Sequence, residues 1–264
     1  MHAKKSLGQH FLTSRAIISA IAEAGDVRAG DTVIEIGPGT GNLTEEILAR
    51  GAHVVAIEKD SRALPILRLR FERAVHDGQL TLVEGDALDE PLSNFADRKP
   101  YKIVANIPYY ITGLIIRHIF SAATLPERAV LLVQREVAER VARSAKESVL
   151  SIAVKAYGTP RYVRTVPRGN FSPAPRVDSA ILEISRITRS FSDSADEAHF
   201  FETLKRGFGK KRKMLAGNLA PRGKKDEVFS VFERLGIPSR ARAEDLSVDM
   251  WKKLARALAT IHTK

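Results

Sequence analysis

The residues Asn106-Ile107-Pro108-Tyr109 have types and spacing suited to holding a planar amine. The Asn side-chain oxygen and a neighbouring backbone carbonyl can both accept from one exocyclic NH₂ group. Pro108 fixes the turn, and Tyr109 offers a ring face on which a base can stack. The segment directly follows the apolar run Tyr101 to Ala105. That is where parallel sheets hold ligands, beyond the carboxyl end of a strand. The plainer reading, an Asn-Pro type turn with a packed Tyr, does not account for this position.

Three further segments fall at the ends of apolar runs. Glu35-Ile36-Gly37-Pro38-Gly39-Thr40-Gly41 gives glycines at G-x-G-x-G spacing. Gly37 and Gly39 there let a backbone approach a ligand closely. The spacing is not the G-x-G-x-x-G of dinucleotide sites, and the Lys-Ser/Thr of a phosphate loop is missing. A nucleoside ligand without a pyrophosphate suits it. Glu58, 21 residues after Gly37, can accept two hydrogen bonds from a ribose diol; the bland alternative is a surface ion pair with Lys59. Asp86, in Gly85-Asp86-Ala87-Leu88, can accept from an adenine amino group or simply cap a helix. Finally, Phe171-Ser172-Pro173-Ala174-Pro175-Arg176-Val177-Asp178-Ser179 reads as an extended loop. Phe171 is expected to stack on a base opposite Tyr109, or else to anchor the loop.

The elements that must position these residues alternate. Strands are expected at 32–36, 53–58, 80–83, 101–105 and 129–133. Helices are expected over 43–48, 62–75, 111–120 and 135–143. Such alternation with short links gives a parallel sheet covered on both faces. Runs near 151–157, 161–166 and 179–185 follow one another without long helices and predict an antiparallel end to the sheet. A polar linker is expected at 190–196. Beyond it, apolar stripes at helical spacing (Phe200, Phe201, Leu204, Phe208; Val228, Phe229, Phe232, Leu235; Met250, Trp251, Leu254, Leu258) predict a small helical domain. The expected division is 1–189 and 190–264.

The 264 residues carry 42 Lys and Arg against 31 Asp and Glu, a net charge of +11. Residues 1–185 contribute +3 of this and residues 186–264 contribute +8. The densest run is Lys210-Lys211-Arg212-Lys213, with Arg206 before it and Lys224-Lys225 after. These cations suit sequence-independent contact with phosphates, so a nucleic-acid partner is expected. Without cysteine, a disulfide framework, a Cys-ligated metal and a thiol nucleophile are excluded. The His, Asp and Glu residues show no metal-ligand spacing, and no Ser-His-Asp order with a nucleophile elbow occurs. Neither a membrane-spanning run nor a signal peptide is legible, and a cytoplasmic location is expected.

Over nearly its full length the chain resembles the ribosomal RNA adenine N6-dimethyltransferases of the KsgA/RsmA type. The resemblance rests on Gly8-Gln9-His10-Phe11-Leu12, Glu35 to Thr44, Glu58-Lys59-Asp60, Gly85 to Leu88, Asn106 to Tyr109, Leu132 to Ala138, Phe171 to Ser179 and the basic segment Phe208 to Leu215, which is similar to that family's basic helical segment. It implies an α/β fold of the class I S-adenosylmethionine-dependent methyltransferases, Rossmann-like, with a mostly parallel seven-stranded sheet and a small all-α C-terminal domain. It also implies an activity: two methyl groups transferred to each of two adjacent adenosines near the 3′ end of small-subunit ribosomal RNA, during subunit biogenesis. The family's cofactor contacts fall on His10, Leu12, Gly37, Glu58, Asp86 and Asn106, with Gly39 in the same loop. Its target-base groups fall on Asn106, Ile107, Pro108, Tyr109 and Phe171. RNA contacts are expected from Arg206, Lys210, Lys211, Arg212 and Lys213. His10 stands where the family usually has Asn, a change that a backbone contact survives and a side-chain amide contact does not. The implied partner is the immature small subunit, met by a monomer. The related macrolide-resistance methyltransferases share a similar Asn-Ile-Pro-Tyr and act on large-subunit RNA; Pro38 to Asn42 and Phe208 to Leu215 look more like the small-subunit enzyme. A non-enzymatic assembly or transcription factor would not need an intact Asn-Ile-Pro-Tyr and glycine loop.

Overall fold

The computed structural model describes residues 8–210, 212–221 and 223–262. These cluster into two compact units. One runs through Ala142 and adds Gly158–Thr188; the other takes Arg143–Tyr157 and the chain from Arg189 onward. The division between the two units at Thr188/Arg189 falls one residue from the expected cut at 189/190, and 143–157 groups with the second unit.

The first unit contains strands β1 (Phe11–Leu12), β2 (Thr32–Ile36), β3 (His53–Glu58), β4 (Leu80–Glu84), β5 (Lys102–Asn106), β6 (Arg128–Gln134), β7 (Thr159–Val166), β8 (Phe171–Ser172) and β9 (Ser179–Ser185). Its helices are α1 (Arg15–Ala24), α2 (Asn42–Ala49), α3 (Ala63–Arg70), α4 (Glu72–His76), α5 (Thr112–Ser121) and α6 (Arg135–Ala142). Seven strands form one sheet in the order β4-β3-β2-β5-β6-β9-β7. The pairs from β4 to β6 are parallel, and β9 is antiparallel to both β6 and β7. The central strands are buried runs of Val, Ile, Leu and Ala, as expected for a sheet covered on both faces. β2 is flanked by β3 on one side and β5 on the other. Connections leave in opposite directions there, which opens a crevice at the strands' carboxyl ends. The remaining strands, β1 and β8, pair antiparallel through Phe11↔Ser172 and Leu12↔Phe171.

The second unit is helical: α7 (Val149–Tyr157), α8 (Ser194–Gly207), α9 (Leu215–Leu219), α10 (Lys225–Leu235) and α11 (Val248–His262). The strand expected near 151–157 is thus a helix. Ile152 and Val154 alternate as in a strand, but Ser148 caps a helix: its hydroxyl accepts the Ser151 N–H at 3.1 Å while Ser151 Oγ accepts the Ser148 N–H at 2.6 Å. The polar linker at 190–196 is also corrected. Phe191 is buried against Tyr157, Phe200 and Phe201, and Asp193 caps α8 by accepting from Ala195 and Asp196 N–H, each at 2.8 Å. Trp251 on α11 is fully buried and donates to the Ala243 carbonyl. A Cβ at Gly207 would overlap its ring, so the end of α8 requires glycine. The helix stops there, and among the described residues 208–210 and 212–214 form turns and loop rather than the expected basic helix.

Candidate active site

Gly8, His10, Leu12, Gly37, Gly39, Glu58, Asp86, Asn106 and the Ile107-Pro108-Tyr109 turn all line one cleft at the carboxyl ends of β2 to β5. Four chain segments read separately from their residues, and the Gly8–Leu12 segment implied by the resemblance, are therefore brought together. The glycine loop is shaped by left-handed backbone. Gly37 has φ 71° and Gly41 has φ 84°. They are glycines for different reasons beyond φ. At Gly37 the nearest atom to a built Cβ is the Asn106 carbonyl oxygen, 4.0 Å away, so a side chain would project into the cleft. At Gly41 a Cβ would lie 2.6 Å from Phe71 Cε2, so close packing excludes it. One keeps space for a ligand; the other closes the helix α2 against α3.

Glu58, at the end of β3, is 5 % exposed and does not pair with Lys59. Its Oε2 accepts the Gly39 N–H at 3.1 Å and its Oε1 accepts the Asp60 N–H at 2.8 Å. Each oxygen keeps a second lone pair, so two hydroxyls can still be accepted. Burial pushes the Glu58 carboxyl up, against the pull of these backbone donors. Lys59 instead bonds Asp86 Oδ2 at 2.7 Å. Asp86 Oδ1 accepts the Leu88 N–H at 3.0 Å and so shapes the turn after β4; no helix starts there, so it is not the helix cap that the sequence left open. The lysine beside it holds the Asp86 carboxyl below the usual range.

Asn106 ends β5, and its Nδ2 donates to the His10 carbonyl at 3.0 Å. That fixes the amide and leaves Oδ1 as an acceptor. The Tyr109 hydroxyl bonds Ser179 Oγ at 2.6 Å, tying the ring to buried β9, and burial pushes the hydroxyl up. His10 lies nearly parallel to Tyr109, with centroids 6.1 Å apart and planes at 21°. Its Nδ1 donates to the Pro173 carbonyl at 2.8 Å.

Phe171 departs from expectation. It is 5 % exposed and packs in the core with Leu12, Ile17 and Ile181. Pairing of β8 with β1 turns residue 171 inward and 172 outward, so in this structure Phe171 anchors the loop and is not among the residues lining the cleft. Of the basic residues, Lys210, Arg212 and Lys213 are exposed, and Lys211 lies outside the described residues. Arg206 is half-buried and donates to the Leu219 carbonyl at 2.7 Å, holding the end of α9 rather than standing open.

Several supporting residues escaped the sequence reading. Glu35 is fully buried and accepts from Thr44 Oγ1 at 2.6 Å, and desolvation pushes its carboxyl up to about 8. A charged residue inside an apolar run was the available signal. Asn42 Nδ2 donates to the Leu12 carbonyl at 2.9 Å and so ties β1 to the glycine loop. Ser179 carried no signal. Among the described residues, no group of three His, Asp or Glu side chains is placed to hold a metal ion, and no helix is long and apolar enough to cross a membrane.

Comparison with known proteins agrees with this geometry. Residues 1–260 match the family model for ribosomal RNA adenine dimethylase. Ribosomal RNA small subunit methyltransferase A of Dehalococcoides mccartyi (strain ATCC BAA-2266 / KCTC 15142 / 195) is 39 % identical, covering 96 % of this chain and 88 % of its own. The protein of the same name from Latilactobacillus sakei subsp. sakei is 36 % identical over 97 % and 89 %. Among solved structures, a dimethyladenosine transferase from Plasmodium falciparum superposes with a TM-score of 0.80 at 28 % identity, covering 95 % of this chain and 98 % of that one. The 23S rRNA methyltransferase ErmE gives 0.75 at 26 % identity over 94 % and 99 %. The match runs through both units and through every segment of the cleft: the chain belongs to the ribosomal RNA adenine dimethylase family and is an S-adenosylmethionine-dependent methyltransferase of ribosomal RNA.

Proposed function

We propose that the cleft converts two adjacent adenosines near the 3′ end of small-subunit ribosomal RNA to N6,N6-dimethyladenosine, acting on the immature subunit in the cytoplasm as a monomer. The observation that carries the residue assignment is the fixed amide of Asn106. With Nδ2 held by the His10 carbonyl, Oδ1 is left to accept from an amine beside the glycine loop.

The residues of the cleft fit S-adenosylmethionine. Glu58 keeps one free lone pair on each oxygen for the ribose diol. Asp86 stands at the next strand end for the adenine amino group. Gly37 leaves the space a side chain would fill, and the carboxylates along the sheet edge suit a sulfonium. When bound, that cofactor supplies a methyl group already activated for displacement.

The target amine is a weak nucleophile because its lone pair is delocalised into the ring. Asn106 Oδ1 and the Ile107 carbonyl accept hydrogen bonds from its N–H groups, draw the nitrogen toward a tetrahedral shape and expose the lone pair. Tyr109, held by Ser179, gives the extruded base a face to stack on. Most of the rate then comes from alignment for in-line displacement. The proton can leave after attack, so no strong base is needed beside Asn106.

Docking on RNA is assigned to the second unit through Lys210, Arg212 and Lys213, with Lys211 in the same run. The small subunit is preferred over the large one because the relatives at 36–39 % identity are small-subunit enzymes, whereas ErmE stands at 26 %. Methyl transfer to purified immature small subunits, large subunits and free DNA tests this. Dimethyladenosine is expected in the small-subunit digest alone. Equal or greater transfer to large subunits would reverse the substrate assignment.

A further inference from the structure

We propose that His10 is a positioning residue of the methyl-transfer site, a clamp that holds the target-base wall in register with Asn106. The inference rests on the reading of Asn106 and Tyr109 given above. His10 makes three contacts, each to a different part of that wall. Its main-chain carbonyl accepts from Asn106 Nδ2 at 3.0 Å. Its ring lies beside Tyr109, near parallel at 6.1 Å between centroids. Its Nδ1 donates to the Pro173 carbonyl at 2.8 Å, across 163 residues of sequence.

The need for a clamp follows from the ladder next to it. β1 and β8 pair over two residues each, too few to be stable unaided. On one side of the ladder, Thr13 secures the pairing: both its N–H and its hydroxyl donate to the Asn170 carbonyl, at 2.9 and 3.0 Å. On the other side, the His10 ring bonds Pro173. Gln9 ties the segment before Phe11 to Asp60 at 3.1 Å, but the imidazole bond is what joins it to the loop at Pro173; without that bond the carbonyl that fixes Asn106 is held less closely against the loop. The imidazole bond is short and directional, while the ring contact with Tyr109 is offset. The hydrogen bond therefore carries more of the effect. Because a carbonyl only accepts, the neutral ring must hold its proton on Nδ1.

Two measurements on the full-length protein test this. In ¹⁵N-histidine-labelled enzyme, the long-range proton–nitrogen spectrum should show His10 as the Nδ1–H tautomer. That readout needs no turnover, so it stands even if the substrate assignment fails; the wild-type product analysis tests the assignment separately. In turnover on small subunits at saturating S-adenosylmethionine, with cofactor affinity measured separately, His10→Ala should lower kcat about tenfold, the effect of losing one net hydrogen bond. His10→Asn, which keeps an N–H near the place of Nδ1, should recover more of the rate than His10→Phe, which keeps only a ring. An Nε2–H tautomer, a kcat for His10→Ala within twofold of wild type, or better recovery by Phe than by Asn would each overturn the clamp.

Discussion

Glu58 and Gly39 are joined across the mouth of the sheet: the carboxylate at the end of β3 accepts the Gly39 N–H at 3.1 Å. The residue that would bind the ribose is thus also the residue that shapes the glycine loop. Loss of Glu58 removes both functions at once. Glu58→Ala should weaken S-adenosylmethionine binding by about 1.5–3 kcal/mol, the scale of hydrogen bonds to a charged group. Glu58→Gln should be nearly as harmful, since its NH₂ must face either Gly39 or Asp60, both of which are donors. Calorimetry on the folded variants decides it. Affinity close to wild type for Glu58→Gln would show that the two backbone bonds are not what orders the loop.

Gly41 tests the packing side of the same loop. With φ 84° and a Cβ position 2.6 Å from Phe71, Gly41→Ala is strained in backbone and in space. A loss of about 1–3 kcal/mol of stability is expected in chemical denaturation, as for overpacked core sites. Gly37→Ala has the same sign of φ but open space around it. It should lose proportionately more cofactor affinity than stability. The reverse ranking would mean that Gly37 serves the fold and Gly41 the ligand.

Glu35 gives the protein a pH dependence. Burial raises its folded carboxyl from 4.5 to about 8. Between those values the folded state holds a proton that the unfolded state has released. The contribution of Glu35 is therefore full below about pH 4.5 and falls as pH rises toward 8, by up to ~1.4 kcal/mol per pH unit. Glu35→Gln keeps an acceptor for Thr44 Oγ1 and cannot ionise. Its denaturation midpoint should vary less over this window than that of the wild type and should be higher at pH 8. Parallel curves for the two proteins would show that Glu35 does not titrate there.

The lysine run is tested through salt. Changing Lys210, Arg212 and Lys213 to Gln should weaken binding to small subunits and lower the log–log salt slope by about two to three. Cofactor affinity should not change, because these residues belong to the second unit and the cleft to the first. An unchanged slope would leave the run as a solvated loop.

Much of this site was legible because strand ends announce themselves. Gly37, Glu58, Asp86 and Asn106 each follow a short apolar run, and parallel topology brings such ends to one edge. Residues that act through distant partners were not legible. Phe171 looked like a second stacking face, but its direction depends on pairing with Leu12, 159 residues earlier. Ser179 owes its role to a single long-range hydrogen bond, and the His10 bonds to Pro173 and Asn106 are likewise long-range contacts that no local pattern encodes. The run at 149–157 was not legible as a helix for another reason: it is short and apolar, and the Ser148–Ser151 cap that starts it is a pair of local hydrogen bonds. Arg206 counted as a free cation in composition, yet its geometry commits it to a helix end.

The central claim is that Asn106 Oδ1, fixed by the His10 carbonyl, receives the target amine. Single-turnover methyl transfer by Asn106→Ala, with enzyme in excess over immature small subunits and cofactor saturating, measures that step apart from binding. The account predicts a fall of about a hundredfold or more in the rate of methyl transfer, the scale seen when one transition-state acceptor or donor is removed, with subunit affinity unchanged. A variant that binds its substrates and transfers methyl at near the wild-type rate would contradict it.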